Sequence, residues 1–453
     1  MTQKIWISYH KDEQIEQYNL KEDATHVLFP THKEVEGVNI NHMNPVYSEM
    51  VTMWYVWQNK IKSKYIGFEH YRRRMNTEEL PAKGECIVYK IMDFLFESVY
   101  NQYARCHRRE DIDMMLHCLD NRYGVGNPYT KNLRESHYLI SNCCFIMRWE
   151  DFVKMCEFLF PLLDDFAAMC GISNTNVQEW RKKAVRDFGE NPRTDYQTRI
   201  LSFLAERLIS AWIFVNLVPF EKNQKVVTVH YNTPDLLEKA ILSMRKNAPG
   251  YRVYILDNSD KEPFTQKMTG VEVLDNTKGQ LIDFKKMIAE YPDRTKTSND
   301  YGSAKHSYSI QWLIDYFNEP FVLMDSDILF CKGISTFFNE KYAFAGTIAE
   351  DTMYAGFPVK RVLPVLCYLN PPMLKERGVR FFNSKFMWNL TSKEPNNHFD
   401  TGAWFYKEIE EKHLPYCKID IMQYIKHMWH GSWIEDSERD KKWLEENKTL
   451  WQA

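Results

Sequence analysis

The sequence predicts an α/β protein of two tandem domains, each a mainly parallel sheet flanked by helices. Three observations predict it. The chain has 453 residues, too many for one ordinary core, and about 200 residues per domain is the natural division. Strand-like and helix-like stretches alternate along it. The alternation then restarts with a fresh strand–helix–strand unit, which places the boundary near Phe220–Asn223 and the domains at 1–220 and 221–453.

In the first half, "KIWISYH" reads as a strand ending at His10, because it alternates and is rich in β-formers. "NPVYSEMVTMWYVWQNK" has apolar residues at helical spacing, with Asn44 placed to cap and Pro45 at the first helical position. "KYIGFEHYRRR" is a short apolar strand that breaks into charge. Residues from about Asp93 to Leu119 contain neither Gly nor Pro and read as helix. "YLISNCCFIM" reads as one buried strand, with "WEDFVKMCEFLFPLLDDFAAMC" and "YQTRILSFLAERLISAWIFVN" as long amphipathic helices.

The second half opens with strand "NQKVVTVHYN", helix "TPDLLEKAILSMRKNA" and strand "YRVYILDNSD". Thr233 is placed to cap that helix, Pro234 fits its first turn, and Gly250 ends the helical stretch. Helix "SAKHSYSIQWLIDYFN" and strand "FVLMDSDILF" follow.

Composition narrows the function classes. Net charge is −3, which gives nucleic acid no general electrostatic purchase. Hydrophobic residues at 44% and charged residues at 26% are globular values. The ten cysteines include no C-x-x-C pair, so reduced core thiols are expected rather than zinc or redox motifs. The N-terminus lacks a charged region followed by an apolar run. The longest apolar run, Leu208–Phe220, is too short to span a bilayer. A cytoplasmic protein is expected, peripheral on the inner membrane face if its substrate sits there.

Chemistry concentrates at strand ends, where open α/β sheets bind ligands. "HYNT", "DNSD" and "DSD" are three such ends. Asp325 and Asp327 lie two apart, so an ideal strand would put them on one face. Two carboxylates there repel unless a cation sits between them, and a hard divalent ion bridging to phosphate is the natural neutraliser. An isolated D-x-D is more often a turn cap. The buried-strand run before it and the two polar strand ends upstream shift the balance toward a site. In the first half, "YIGFEHYRRRM" ends its strand in cations, and His70, Arg72, Arg73 and Arg74 could hold a diphosphate without metal. A solvated basic turn is the plainer alternative.

The stretches "VVTVHYNTPDLLEKAILSMRKN", "YILDNSD" and "FVLMDSDILF", in that order, resemble the GT-A nucleotide-sugar transferases, family 2-like members in particular, over about residues 224–435. The resemblance implies a nucleotide sugar held by His230, Asn232, Asp257, Asn258, His306 and Asp325. It implies Mn²⁺ or Mg²⁺ on Asp325 and Asp327, with a late histidine completing the site. His427 is preferred over His430 by its distance from Gly431–Ser432. An inverting transferase needs a carboxylate base. Asp400 in "HFDTG" is the first choice, with Glu350 and Asp351 as rivals in what reads as a loop over the site. His306 near the diphosphate competes with an ordinary helix-surface histidine.

"SYHK", "NINHMNPVYSEMVTMWYVWQN", "YIGFEHYRRR", "SNCCFIMRWEDFVKMCEFLFPLL" and "TRILSFLAERLISAW" come in the order of the domain of unknown function 4422, over about residues 3–218. That family is regarded as a glycosyltransferase-type domain of capsular and exopolysaccharide synthesis. Arg74 and Met75 stand where its usual "HYRRYF" has aromatics. The resemblance implies a nucleotide-sugar site at His10, Lys11, Asn44, Glu49, His70, Tyr71, Arg72, Arg73, Asn142 and Arg199, with no cofactor expected. Glu206–Arg207 also matches, and reads more readily as an ion pair holding the fold. Asn142 reads as part of an otherwise apolar strand, where a lone amide wants a partner or a ligand.

Together these imply a bifunctional glycosyltransferase acting on nucleotide-sugar donors, UDP-sugars foremost. The acceptor would be a growing bacterial surface glycan (capsule, exopolysaccharide or O-antigen), lipid-linked or soluble. The alternative keeps the C-terminal enzyme and makes the first half a glycan-binding or scaffold module. A nucleotidyltransferase would need a glycine-rich loop after its first strand, which neither half has. A glycosidase would set its carboxylates across a cleft, not on one strand end.

Overall fold

The computed structural model describes residues 3–186, 193–289, 298–351, 359–383, 400–429 and 437–452. The chain divides into two compact units, Met1–Lys222 and Asn223–Ala453. The strand Val218–His230 carries the division point: its first residues pair in the first unit and its later residues in the second.

In the first unit the strand Gln3–Tyr9 lies between two parallel neighbours, His26–Pro30 and Tyr65–His70. The sheet continues antiparallel through Phe145–Arg148 to Glu85–Val88, and Glu85–Val88 pairs parallel with Val218–Glu221. The helix Trp149–Met169 covers the sheet with Phe152, Met155, Leu159, Leu163 and Phe166 buried. These recur at three- and four-residue steps, which is why the segment is a helix with one apolar face. Ile200–Asn216 does the same with Leu201, Leu204, Leu208 and Trp212.

Three expectations for this unit need correcting. The stretch Asp93–Leu119 is not one helix: Ile91–Asp93 is a strand, and helices Val99–Cys106 and Arg109–Tyr123 follow. The helix predicted from Asn44 breaks into Asn44–Tyr47 and Met50–Gln58, with Ser48 at φ 51°. "YLISNCCFIM" is two strands, Tyr138–Ile140 and Phe145–Arg148, parted by a turn with Asn142 at φ 68° and Cys143 at φ 52°. Left-handed backbone at non-glycine residues is costly. At Ser48 and Asn142, long-range hydrogen bonds described below hold it.

The second unit orders its sheet as Tyr416–Lys418, Phe344–Asp351, Val359–Leu369, Phe321–Met324, Val226–His230, Gly250–Asp257 and Val271–Asp275. Phe321–Met324 runs parallel to Val226–Thr228, while Val359–Leu369 runs antiparallel to its neighbours on both sides. The helix Pro234–Asn247 buries Leu237, Ala240, Ile241 and Met244. Beyond the turn at Asp325–Asp327, the short strand Ile328–Phe330 leaves the main sheet and pairs antiparallel with Ile425–His427. Glu350 lies on a strand opposite Lys360, not on a loop, which corrects that expectation. All ten cysteines are free. Among the described residues no helix is long and apolar enough to cross a membrane.

Candidate functional site

In the second unit the buried run Phe321–Met324 delivers Asp325, Ser326 and Asp327 to the carboxyl end of a central strand. The side strand then fixes a histidine beside them. Ile328 pairs with His427, and Met428 N donates to Asp327 O at 3.0 Å. His427 Nε2 and Asp327 Oδ1 are 3.1 Å apart, in side chains only 6% and 5% exposed. One ligand atom from each of Asp325, Asp327 and His427 lies within 4.8 Å of the others. Burial, then the charge of Asp327, pushes the Asp325 carboxyl well up. Burial opposes protonation of His427, but its bond to Asp327 and the charge of both aspartates outweigh that and raise the ring above its ordinary value. His427 Nδ1 is buried with no hydrogen-bond partner among the described residues.

That donor set fits a hard divalent cation. Two carboxylates and one imidazole suit Mn²⁺ or Mg²⁺, and a cation would relieve the repulsion that now raises Asp325. His306 Nε2 lies 3.8 Å from Asp325 Oδ1, and burial lowers its ring to about 4 against the pull of Asp400 and Asp327. The structure therefore brings Asp325, Asp327, His427 and His306 together. His430 falls outside the described residues, as does the side chain of Asp351.

The other strand ends play supporting parts. His230 and Asp257 are buried, 0% and 1% exposed, and bonded to each other at 3.0 Å. Asp257 also accepts from Ser259 N at 3.0 Å and Phe264 N at 2.7 Å. Burial alone would raise its carboxyl; the bonds from His230, Ser259 and Phe264 outweigh that and hold it at about 2. His230 Nε2 accepts from Thr233 N at 3.1 Å. Both side chains are thus engaged within the fold, and their bonds shape the segment that follows Asp257. Asn232, at φ 55°, accepts from Lys261 N and Glu262 N and braces the same loop. Asn258 bonds to Ser309 Oγ at 3.0 Å and accepts from Asn276. Thr233 occupies the N-cap position but its side chain makes no capping bond; its hydroxyl lies 3.1 Å from Ser326 Oγ and ties the first strand end to the D-S-D turn.

Asp400 is engaged by Arg361 at 3.0 Å, Ser303 Oγ at 2.8 Å and Thr401 N at 2.7 Å. That departs from a free base, and the carboxylate anchors Arg361 instead. Gly402 beside it sits at φ 89°, where an added Cβ would lie 2.1 Å from Val362 O. Glu350 is exposed on its strand.

In the first unit a second constellation forms. His10 Nε2 and His70 Nε2 are 3.3 Å apart. The helix break at Ser48 turns Glu49 toward them, and one ligand atom from each of His10, Glu49 and His70 lies within 4.8 Å of the others. Arg199 holds the break: its Nε donates to Ser48 Oγ at 2.7 Å, and its guanidinium stands 3.9 Å from Glu49. Asn142 N donates to Glu206 Oε1 at 2.6 Å, and Glu206 pairs with the buried Arg207 at 2.6 Å. Glu206–Arg207 is therefore a structural pair, and Asn142 sits at a turn rather than in a strand.

Tyr71 packs on His70 and His10, and Arg72 lies over its ring. Arg73 closes the turn through backbone bonds with His70. Arg74 is committed to the buried Glu69, which also accepts from Met75 N at 2.7 Å. Arg74 thus leaves the candidate diphosphate set, and Met75, fully buried, takes the core position after the motif. Lys11 is exposed, with its N–H directed at Gln14. Asn44 has its Oδ1 buried without a hydrogen-bond partner among the described residues.

Residues 4–189 match a family model described as a domain of unknown function (DUF4422). The first unit carries that match. Among solved structures, the WbbM bifunctional glycosyltransferase in its apo form is 15% identical, covering 93% of this chain and 87% of its own, with a TM-score of 0.38. The galactosyltransferase LgtC with donor and acceptor sugar analogs is 10% identical over 44% of this chain and 74% of its own, at 0.29. The glycosyltransferase GlyE of Streptococcus pneumoniae is 13% identical over 44% and 46%, at 0.27. No curated protein matches the sequence. None of the three TM-scores reaches 0.5, so the functional reading rests on the sites themselves.

Proposed function

We propose that this chain is a two-domain, nucleotide-sugar-dependent glycosyltransferase that extends a bacterial surface polysaccharide. The observation that carries the reading is the Asp325–Asp327–His427 cluster at a strand end, beside His306. In the second unit Asp325, Asp327 and His427 would hold Mn²⁺ or Mg²⁺. A bound cation there neutralises charge on a departing diphosphate. His306, 3.8 Å from Asp325, would meet the phosphates, and the segment after Asp257 that Asn232 braces would frame the nucleotide side.

In the first unit Arg72, Arg73 and Arg199 supply fixed positive charge for the same task. UDP-sugars are the donors we favour, with a glycan or lipid-linked glycan as acceptor at the inner membrane face. The commitment of Arg74 to Glu69 favours a second reading of this unit, as a glycan-binding or scaffold module, because it removes one cation from the basic turn.

One experiment separates these readings. Donor turnover is measured over a panel of nucleotide sugars for the full chain, for Asp325→Ala/Asp327→Ala, and for that variant with Arg72→Ala added. We expect the aspartate pair to abolish turnover of one donor and Arg72→Ala to abolish what remains. No turnover left after the aspartate change refutes the two-enzyme reading. Turnover unaffected by the aspartate change refutes the role of the second-unit cluster.

A further inference from the structure

We propose that His10, Glu49 and His70 form a second metal site, in the first unit, for a divalent transition-metal ion of Zn²⁺ type. The fold builds it from three separate elements. His70 ends the strand Tyr65–His70 and is in register with Ser8 on the parallel strand that His10 follows. Glu49 is delivered by the left-handed break at Ser48, which Arg199 stabilises from 151 residues away.

The spacing is the first argument. Two ligands at about 2.05 Å from a tetrahedral ion lie about 3.3 Å apart. The two imidazole Nε2 atoms are 3.3 Å apart. As a direct hydrogen bond the same distance is beyond the usual range.

The tautomers are the second. Thr31 Oγ1 lies 3.1 Å from Tyr9 O and 2.7 Å from His10 Nδ1. With its one proton directed to Tyr9 O the hydroxyl accepts from His10 Nδ1–H, and that tautomer presents the Nε2 lone pair toward His70. Metal-bound histidines are commonly held in this way by the partner of their other nitrogen. His70 is only 7% exposed, and its Nδ1 has no hydrogen-bond partner among the described residues.

Charge is consistent. Arg72 lies over the Tyr71 ring that packs on both histidines, and the Arg199 guanidinium stands 3.9 Å from Glu49. Glu49 supplies the anionic ligand. Two histidines and one glutamate leave a fourth position open, and Arg72, Arg73 and Arg199 favour an anion there, as a diphosphate oxygen would be. The site stands without the donor reading, because metal alone probes it.

The test uses the full chain carrying Asp325→Ala/Asp327→Ala, which silences the other cluster. The protein is stripped with chelator, then dialysed against Zn²⁺ at pH 7.5, and bound metal is counted. We expect one Zn²⁺ per chain, with affinity at least 100-fold weaker in His10→Gln and in His70→Gln. Thr31→Val, a milder change outside the ligand set, should weaken affinity about tenfold while leaving the circular dichroism spectrum unchanged. Failure to bind Zn²⁺ stoichiometrically overturns the proposal. So does binding that persists in both histidine variants, because cysteines would then hold the ion. Unchanged affinity in a folded Thr31→Val protein overturns the tautomer argument. A chain that binds Zn²⁺ here but turns over no second donor refutes the two-enzyme reading and leaves this site intact.

Discussion

Asp325→Asn should strengthen the metal-free protein and weaken the metal-bound one. Asp325 and Asp327 present carboxylate oxygens within 4.8 Å of each other. Two full charges at that distance repel by about 3.5 kcal/mol at an effective dielectric of 20. Asp325 is 23% exposed, and water and His427 screen part of this, so about 1–2 kcal/mol is the expected relief. In chelator at pH 8.5 the transition of the second unit should rise by roughly 2–8 °C, from about 2–4 °C per kcal/mol for a unit of this size. With Mn²⁺ the order reverses. Ligand at 100 times its dissociation constant adds about 2.7 kcal/mol to the wild type, and the variant should lose most of that. Differential scanning calorimetry with and without Mn²⁺ reads both effects. A variant that melts lower than wild type in chelator, or that keeps the full Mn²⁺ shift, refutes the reasoning.

Two other outcomes follow from the geometry. Gly402→Ala forces a Cβ to 2.1 Å from Val362 O at φ 89°, so it should destabilise the second unit by about 3 kcal/mol or more, from backbone strain plus displaced main chain; a chemical denaturation midpoint equal to wild type would contradict this. His107 is lowered to about 4, first by burial and then by Arg207 and Arg193. The unfolded chain therefore binds a proton that the folded chain refuses, and stability falls as pH drops from about 6.5 to about 4, by about 3 kcal/mol at most. His107→Phe keeps the stacking on Phe203 and should flatten that limb in urea titrations at pH 7 and pH 4.5; parallel curves for the two proteins would rule His107 out.

What the sequence made legible was local. "FVLM" before "DSD" is a buried strand feeding two acids into a turn, and both the apolar run and the two-residue spacing are visible in ten letters. "YIGFEH" before "YRR" shows the same change from apolar strand to charge. What stayed hidden is set by distant partners. Nothing near Ser48 in the sequence signals a helix break, because Arg199 holds it from 151 positions away. Asn142 looked like a strand residue because the hydrogen bond from its N–H ends on Glu206, 64 positions on. The engagement of Asp257 could not be read either, since it depends on where the N–H of Phe264 comes to lie.

The two clusters differ in a way that bears on how each would handle a phosphate leaving group. In the second unit the acids come from one turn and the histidine from a short side strand, so the ligands are close in space before any ion arrives, and their mutual repulsion is carried by Asp325. In the first unit the two rings are neutral, and Glu49 is the one acid of the cluster, its carboxyl pushed up by burial and, more weakly, by the charge of Glu206. The positive charge that the second unit would import as an ion is already covalently present in the first, as Arg72, Arg73 and Arg199. A metal in the first unit would therefore serve less to cancel repulsion than to fix geometry, orienting a ligand that the arginines already attract. The consequence is a difference in dependence. Stripping metal should cost the second unit its charge compensation outright, while the first unit should keep its attraction for a diphosphate and lose its positioning. For the second unit, loss of the ion should therefore weaken diphosphate binding. For the first, it should lower turnover more than binding, because attraction acts on ground and transition states alike whereas positioning acts on the reacting geometry.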